Sequence, residues 1–245
     1  MSAPRFYAPP PLPASAPFDL PDDAAHHATR VLRLREGDAV QLFDGSGSAC
    51  DAVILSISGK RVTLDRLHHL APDSPTPLHI TLVQAMSSSE KMDWIVQKAT
   101  ELGASEIQPV QTQRSVARLT AERAEKRTEH WRAVIVSACE QSGRNLLPQV
   151  HAPQEFSHWL EQQYTQPGSR FILLPDGASS LQSQPKPCGQ ATLLIGPEGG
   201  FSAEEVAMAL RAGFQPVLLG PRVLRTETAA MAGITALQML WGDFN

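Results

Sequence analysis

Excess positive charge is the first thing this sequence lacks. The formal net charge is −4. The chain as a whole therefore carries no electrostatic footprint for nucleic acid, and any such contact has to come from local clusters. Cysteine is scarce too: Cys50, Cys139 and Cys188 lie far apart and are odd in number. That argues against a disulfide framework and a cysteine-based metal site. Cys139 reads as a small core residue, not a nucleophile, because no histidine is close to it in sequence. No apolar run approaches the length of a membrane span, and the start of the chain lacks the apolar segment of a secretory signal. A cytoplasmic protein is the expectation. Neither common nucleotide fingerprint is complete. No Gly-Lys-Ser/Thr follows a glycine loop, which excludes a P-loop, and no G-x-G-x-x-G is present.

What is present starts with enough apolar content, 42% of 245 residues, for one large core or two smaller ones. Residues 1–21 hold seven prolines and read as extended. Arg5, Phe6 and Tyr7 stand out there, either as an RNA contact through phosphate and stacking or as an aromatic anchor for the first domain. Residues 22–34 read as a short helix with Asp22 or Asp23 as N-cap. It carries His26, His27, Arg30 and Arg33. Adjacent histidines diverge on a helix, so they make no metal site. Across residues 38–67, Val40 and Leu42, then Val53, Leu55 and Ile57, then Val62 and Leu64 alternate, with turn signals at 44–47 and 58–60. This predicts a small antiparallel β barrel. Residues 68–77, with Pro72, Pro75 and Pro77, read as a linker.

Beyond the linker a strand is predicted at 78–84. A helix then carries Met92, Ile95, Val96, Ala99 and Leu102 on one face, capped from Ser87-Ser88-Ser89 and stopped by Gly103. Lys91 and Lys98 on it are most simply solvated. A long amphipathic helix is predicted at 120–142, with Trp131, Val134, Ile135 and Ala138 inward. The window 111–145 holds seven Lys or Arg, Arg114, Arg118 and Arg144 among them, against four Glu. That is a modest basic cluster, and a solvated helix face explains part of it equally well. The helix ends in Ala-Cys-Glu-Gln-Ser-Gly-Arg-Asn, where Gly143 suits a C-terminal stop and the polar residues are either caps or a site.

The most informative stretch is 193–230. Apolar runs at 192–195 and 216–219 each lead into Gly-Pro and fit buried parallel strands. Between them Ser202 and Glu205 form a capping box, Val206, Ala209 and Leu210 line a helix face, and Gly213 ends it. Thr226 is placed to cap a last helix at 227–240. Right-handed crossovers put the loops 195–200 and 219–222 at one edge of the sheet, where ligands of open α/β sheets bind. A strand at 170–175 adds a third loop at Asp176-Gly177. The glycines let backbone approach a ligand. Glu198 sits in the first loop with no packing role. Ordinary turn glycines and a capped helix remain the alternative for this stretch taken alone.

IGPEGGFSAEEV and LGPRVLRTETAA resemble the C-terminal motifs of the RsmE family of S-adenosylmethionine-dependent methyltransferases, which modify N3 of a uridine in small-subunit (16S) ribosomal RNA. The resemblance continues through SEKMDWIVQKATELG, IQPVQTQRSV, ACEQSGRN, the His-x-x-x-Arg-Val-Leu-Arg element and the Arg-Phe-Tyr start, and so spans nearly the whole chain. It implies an α/β fold of the SPOUT type with a deep trefoil knot over 72–245, behind a small PUA-like RNA-binding β barrel over 1–71. It implies S-adenosylmethionine as cofactor, held by Leu174, Ile195, Gly196, Pro197, Gly200, Leu219, Gly220, Val223, Leu224 and Ala229. It points to Arg5, Arg30, Arg33, Lys91, Arg114, Arg144 and Arg222 as RNA contacts. It also implies a homodimer, for which Met231, Ile234, Leu237, Met239 and Trp241 offer apolar surface. Chemistry at N3 needs the proton removed and the anion stabilised, which assigns Glu198 as base or orienting group and Arg225 to anion stabilisation or a phosphate clamp. No metal is needed. A SPOUT enzyme acting on another RNA or atom, or an RNA-binding protein without catalysis, are the alternatives.

Overall fold

The computed structural model describes residues 3–74, 76–116, 120–163, 167–176 and 179–244. Pro75, Arg118 and Gly177 lie outside them. The chain divides into two compact units, Met1–Pro75 with Val136–Leu147, and Thr76–Ile135 with Pro148–Asn245.

The first unit is built on a five-stranded sheet, with β1 (Arg5–Tyr7), β2 (Phe18–Asp19), β3 (Ala39–Phe43), β4 (Ala49–Ser58) and β5 (Arg61–His69) in the order β1-β3-β4-β5-β2. The antiparallel pairing expected over 38–67 forms between β3 and β4 and between β4 and β5; β1, outside that stretch, runs parallel to β3, and among the described residues no pairing joins β1 to β2. The alternation in β4 differs from the expected one. Ala52 and Ile54 are buried, while Leu55 is 51% exposed. Leu55 follows Ile54 in ordinary alternation and so lies on the other face, and the register shift between Ile54 and Ser56 in the β4–β5 ladder flips the parity beyond it, which returns Ile57 to the core cluster.

Helix α1 (Asp22–His26) is shorter than the pattern suggested, since the chain passes at once into a π turn, His27–Val31. Arg33 then takes a φ of 54°, a left-handed conformation that ends helical pairing. Pro21, not an aspartate, is the N-cap, and Asp22 and Asp23 occupy the first turn, where they complement the helix dipole. Phe6 is fully buried beside Leu20, Ala28, Leu42 and Leu64.

In the second unit, strands β6 (His79–Ala85) and β7 (Glu106–Gln111) flank helix α2 (Ser89–Glu101) in sequence, and helix α3 (Ala121–Ser142) follows, its residues 136–142 belonging to the first unit. Then come β8 (Gln149–Val150), β9 (Gln154–Glu155), α4 (Phe156–Glu161), β10 (Ser169–Leu173), β11 (Ser179–Ser180), β12 (Gln190–Ile195), α5 (Ala203–Arg211), β13 (Gln215–Leu218) and α6 (Thr226–Trp241). The sheet order is β11-β13-β10-β12-β6-β7-β8, with β9 beside β7, and every pairing is parallel. Parallel strands covered on both faces need continuous apolar runs, and β6, β10 and β12 have them. Ile80, Leu82, Val83, Ile172, Leu193 and Leu194 are all fully buried.

The helices follow the predicted faces with exceptions. In α2, Met92, Ile95, Val96 and Ala99 are buried, and Gly103 stops the helix at φ +88°. In α5 the Ser202–Glu205 capping box forms, but Leu210 is 44% exposed. Ala209 is buried as expected, and Glu205 joins it on the inward side. Leu237 and Ile234 of α6 are fully buried within their own chain, because α6 packs on α2, β6 and β12. They are therefore not surface for a second subunit. No described helix is long and apolar enough to cross a membrane.

Candidate active site

The loops that leave β10, β12 and β13 converge at the carboxyl edge of the sheet. They line a cavity of about 590 Å³ together with Lys91 and the start of α6. Every lining residue belongs to the second unit. The volume lies within the range of small-molecule sites, about 300–1,000 Å³. Leu173, Leu174, Leu219, Val223 and Leu224 supply apolar wall. Gly200 and Gly220 adopt φ of +67° and +90°, which glycine enters without the penalty of a Cβ.

All ten residues that the resemblance assigned to cofactor contact line this cavity, as do Glu198, Arg222, Arg225 and Lys91. Arg222 and Arg225 are exposed at it. Arg114 lies next to the glycine loop, its Nη1 donating to the Gly199 carbonyl at 2.9 Å. The same segment is clasped a second time: the Glu205 carboxylate accepts from Ser202 N at 2.8 Å and from Gln113 N at 2.7 Å. One capping residue thus joins the loop after β7 to the cavity wall.

Arg5, Arg30, Arg33 and Arg144 lie in the first unit. Arg30 and Arg33 are exposed beside Val31 and Leu32. Arg5 is committed to protein partners. Its guanidinium donates to the Gln41 side chain, to the Arg144 carbonyl at 3.0 Å and to Asn145 Oδ1 at 2.5 Å, and it lies over the Phe43 ring. Tyr7 N donates to Glu140 Oε1 at 3.1 Å, and Asn145 Nδ2 to Asp73 Oδ1 at 2.9 Å. The ACEQSGRN stretch is therefore a structural junction that ties the end of α3 to β1. Burial pushes the Cys139 thiol there up to about 11, so it stays protonated and unreactive.

Two expectations about the cavity change. Thr226 does not cap α6; Arg225 is the N-cap residue and makes no side-chain cap bond. Thr226 opens the helix, and its hydroxyl donates to the Gly196 carbonyl at 2.6 Å while accepting from Gln84 Nε2 at 2.9 Å. A buried hydroxyl with both roles filled sets the glycine loop against α6. Thr226→Val keeps the shape and leaves these groups unpaired, which costs about 1–3 kcal/mol. The expected result is a lower denaturation midpoint together with weaker ligand binding. A variant unchanged in both would show that the bridge carries neither.

Lys91 is not simply solvated. Its Nζ is 2.9 Å from Glu198 Oε1 and 3.6 Å from Glu227 Oε2. Glu198 Oε1 also accepts from Ser87 Oγ at 2.5 Å. Desolvation works to raise the Glu198 carboxyl, but the bonds from Ser87 and Lys91 outweigh it and hold Glu198 below the ordinary carboxylate range. The bond to Glu198 lifts Lys91 above the usual lysine range against some desolvation, helped by the charges of Glu198 and Glu227. In the sequence Ser87 reads as part of a polar capping run and Glu227 as one of the polar residues that follow the second glycine loop, and no local pattern marks either as a partner of a lysine on α2.

Comparison with known proteins gives this geometry a context. Residues 74–238 match the model of an RNA methyltransferase domain, and residues 20–70 that of an RNA methyltransferase PUA domain. Ribosomal RNA small subunit methyltransferase E of Buchnera aphidicola is 32% identical over 98% of this chain and 95% of its own length. The chain belongs to the ribosomal RNA small subunit methyltransferase E family. The member of this family from Neisseria gonorrhoeae, crystallised with S-adenosyl methionine, is 40% identical with a TM-score of 0.91, and both chains are covered completely. A Legionella pneumophila protein described as a methyltransferase, solved with bound cofactor SAM, matches at a TM-score of 0.93 with 34% identity, again over both full chains. As a member of this family the protein is an RNA methyltransferase.

Proposed function

We propose that this protein transfers the methyl group of S-adenosylmethionine to N3 of a uridine in small-subunit ribosomal RNA. The observation that carries the reading is a glycine-walled cavity, at the carboxyl edge of a parallel sheet, with an ionised carboxylate, Glu198, held inside it by Ser87 and Lys91. The cavity suits the cofactor. Its apolar walls and open backbone match a neutral adenine better than a charged group, and its volume accommodates a molecule of that class. When bound, the cofactor supplies an electrophilic methyl group on a sulfonium.

The residues of this chain do the rest. Glu198 takes the N3 proton through the oxygen that Ser87 and Lys91 do not share. The N3 electron pair then forms the bond to the methyl carbon, and the C–S pair stays on sulfur. Arg222 and Arg225, exposed at the cavity, clamp RNA phosphate. Arg30 and Arg33 present charge from the first unit. In this reading residues 1–71 serve as the RNA-binding domain and 72–245 as the methyl-transfer domain. The SPOUT trefoil knot belongs to the latter, supported by the return of α6 onto β12 and α2. A homodimer in the cytoplasm completes it, with Met239, 55% exposed, as the apolar residue of α6 open to a second subunit. The test is incubation with labelled cofactor and small-subunit RNA, free and in assembled subunits, followed by nucleoside analysis. N3-methyluridine is the expected product. Label in another nucleoside would overturn the assignment of the atom, and no label in either substrate would overturn the activity.

A further inference from the structure

Lys91, Glu198 and Glu227 come from three separate segments: the first turn of α2, the loop after β12 and the first turn of α6. Helix stability does not explain the lysine. Helix N-termini carry positive partial charge and disfavour cations, yet this ammonium sits in the first turn of one helix and within 3.6 Å of an acid in the first turn of another. Two carboxylates hold it there. Glu227 Oε2 is buried and makes no hydrogen bond, an arrangement that is costly unless a charge compensates it. Lys91 lines the cavity, whereas Glu227 is not among the lining residues. Glu227 meets the cavity through its ion pair with Lys91.

We propose that Lys91 is the catalytic cation that stabilises the uracil anion, and that Glu227 is a positioning residue that fixes its ammonium at the cavity. The proposal rests on the N3 reading above. Loss of the N3 proton spreads negative charge onto the flanking carbonyl oxygens of the base, where a preorganised cation acts most strongly. That proton goes to Glu198, so the carboxylate paired with Lys91 is neutralised as the anion forms. The ammonium keeps its tether to Glu227 and exchanges one negative partner for another. The N3 pair then takes the methyl carbon and the C–S pair remains on sulfur as a neutral thioether.

The experiment compares wild type, Lys91→Met and Glu227→Gln in single-turnover methylation of small subunits. These are assembled with RNA carrying either uridine or 5-fluorouridine. Fluorine makes N3–H more acidic, so less stabilisation of the anion is needed. The expected result on uridine is a rate about 100-fold lower for Lys91→Met and about ten-fold lower for Glu227→Gln. Cofactor affinity by calorimetry should stay near wild type, and both deficits should shrink on the fluorinated substrate. A merely structural role would leave the deficits equal on the two substrates, and that result overturns the proposal, as does Glu227→Gln at the wild-type rate. Lys91 is partly exposed, so Lys91→Met keeps the test decisive if Glu227→Gln disturbs folding. Nucleoside analysis of the wild-type product separates failure of the N3 reading from failure of the Lys91 role.

Discussion

Gly196→Val is expected to weaken S-adenosylmethionine binding by roughly 10- to 100-fold while the protein stays folded. A Cβ at Gly196 would lie 3.0 Å from Phe201 Cε2 and 3.1 Å from Cδ2. The Phe201 ring cannot swing away freely, because it packs against Phe156 with centroids 5.7 Å apart at the edge of the core. Overpacking of this kind costs about 1–3 kcal/mol, which is the stated range of affinity if the strain is relieved by moving the loop instead of the core. The Gly196 carbonyl is pinned by Thr226, so a shift there also disturbs the start of α6. Calorimetric titration with the cofactor, alongside a thermal melt, reads both parts. Binding within about two-fold of wild type would mean that this loop does not contact the ligand.

Glu198→Gln is expected to lower the methylation rate by about 10²- to 10⁴-fold, the usual contribution of a positioned proton acceptor, with cofactor affinity little changed. The pH profile sharpens the test. The bonds from Ser87 and Lys91 depress the Glu198 carboxyl below its ordinary value of 4.5. A depressed carboxyl stays ionised as pH falls to that value, and gains its proton only below it. The wild-type rate should therefore show no loss from Glu198 protonation between about pH 5 and 9. An acid limb near neutrality that vanishes in Glu198→Gln would mean that the Ser87 and Lys91 contacts do not govern this carboxylate. A glutamine variant at wild-type speed would remove Glu198 from the chemistry altogether.

Features written in adjacent residues were legible. The capping box at Ser202 and Glu205 forms as read, because both partners lie within one turn and the bond pattern needs no distant group. The buried runs of β10 and β12, the parallel strand β13 and the convergence of their loops followed from apolar patterning and from the handedness of crossovers. The inward face of α2 followed from helical period alone. The face of β4 did not, because a register shift breaks the period of two that such readings assume. Arg5 kept two readings open in the sequence. Its partners Arg144 and Asn145 lie 139 and 140 residues away, and no local pattern shows a pairing at that separation.

Sequence by itself thus determined the strand–loop–helix grammar of the second unit and the glycine loops that open its cavity, since propensity, capping and periodicity act over a few residues. Tertiary structure alone decided what the polar residues in those loops do. Thr226 became a bridge and not a cap because folding placed Gln84 and the Gly196 carbonyl within reach of its hydroxyl. Lys91 became a held ammonium and not a solvated one because α2, the loop after β12 and α6 meet at one edge of the sheet. A charge takes its role from the opposite charges within a few ångströms of it, and those are fixed by the fold, not by neighbours along the chain.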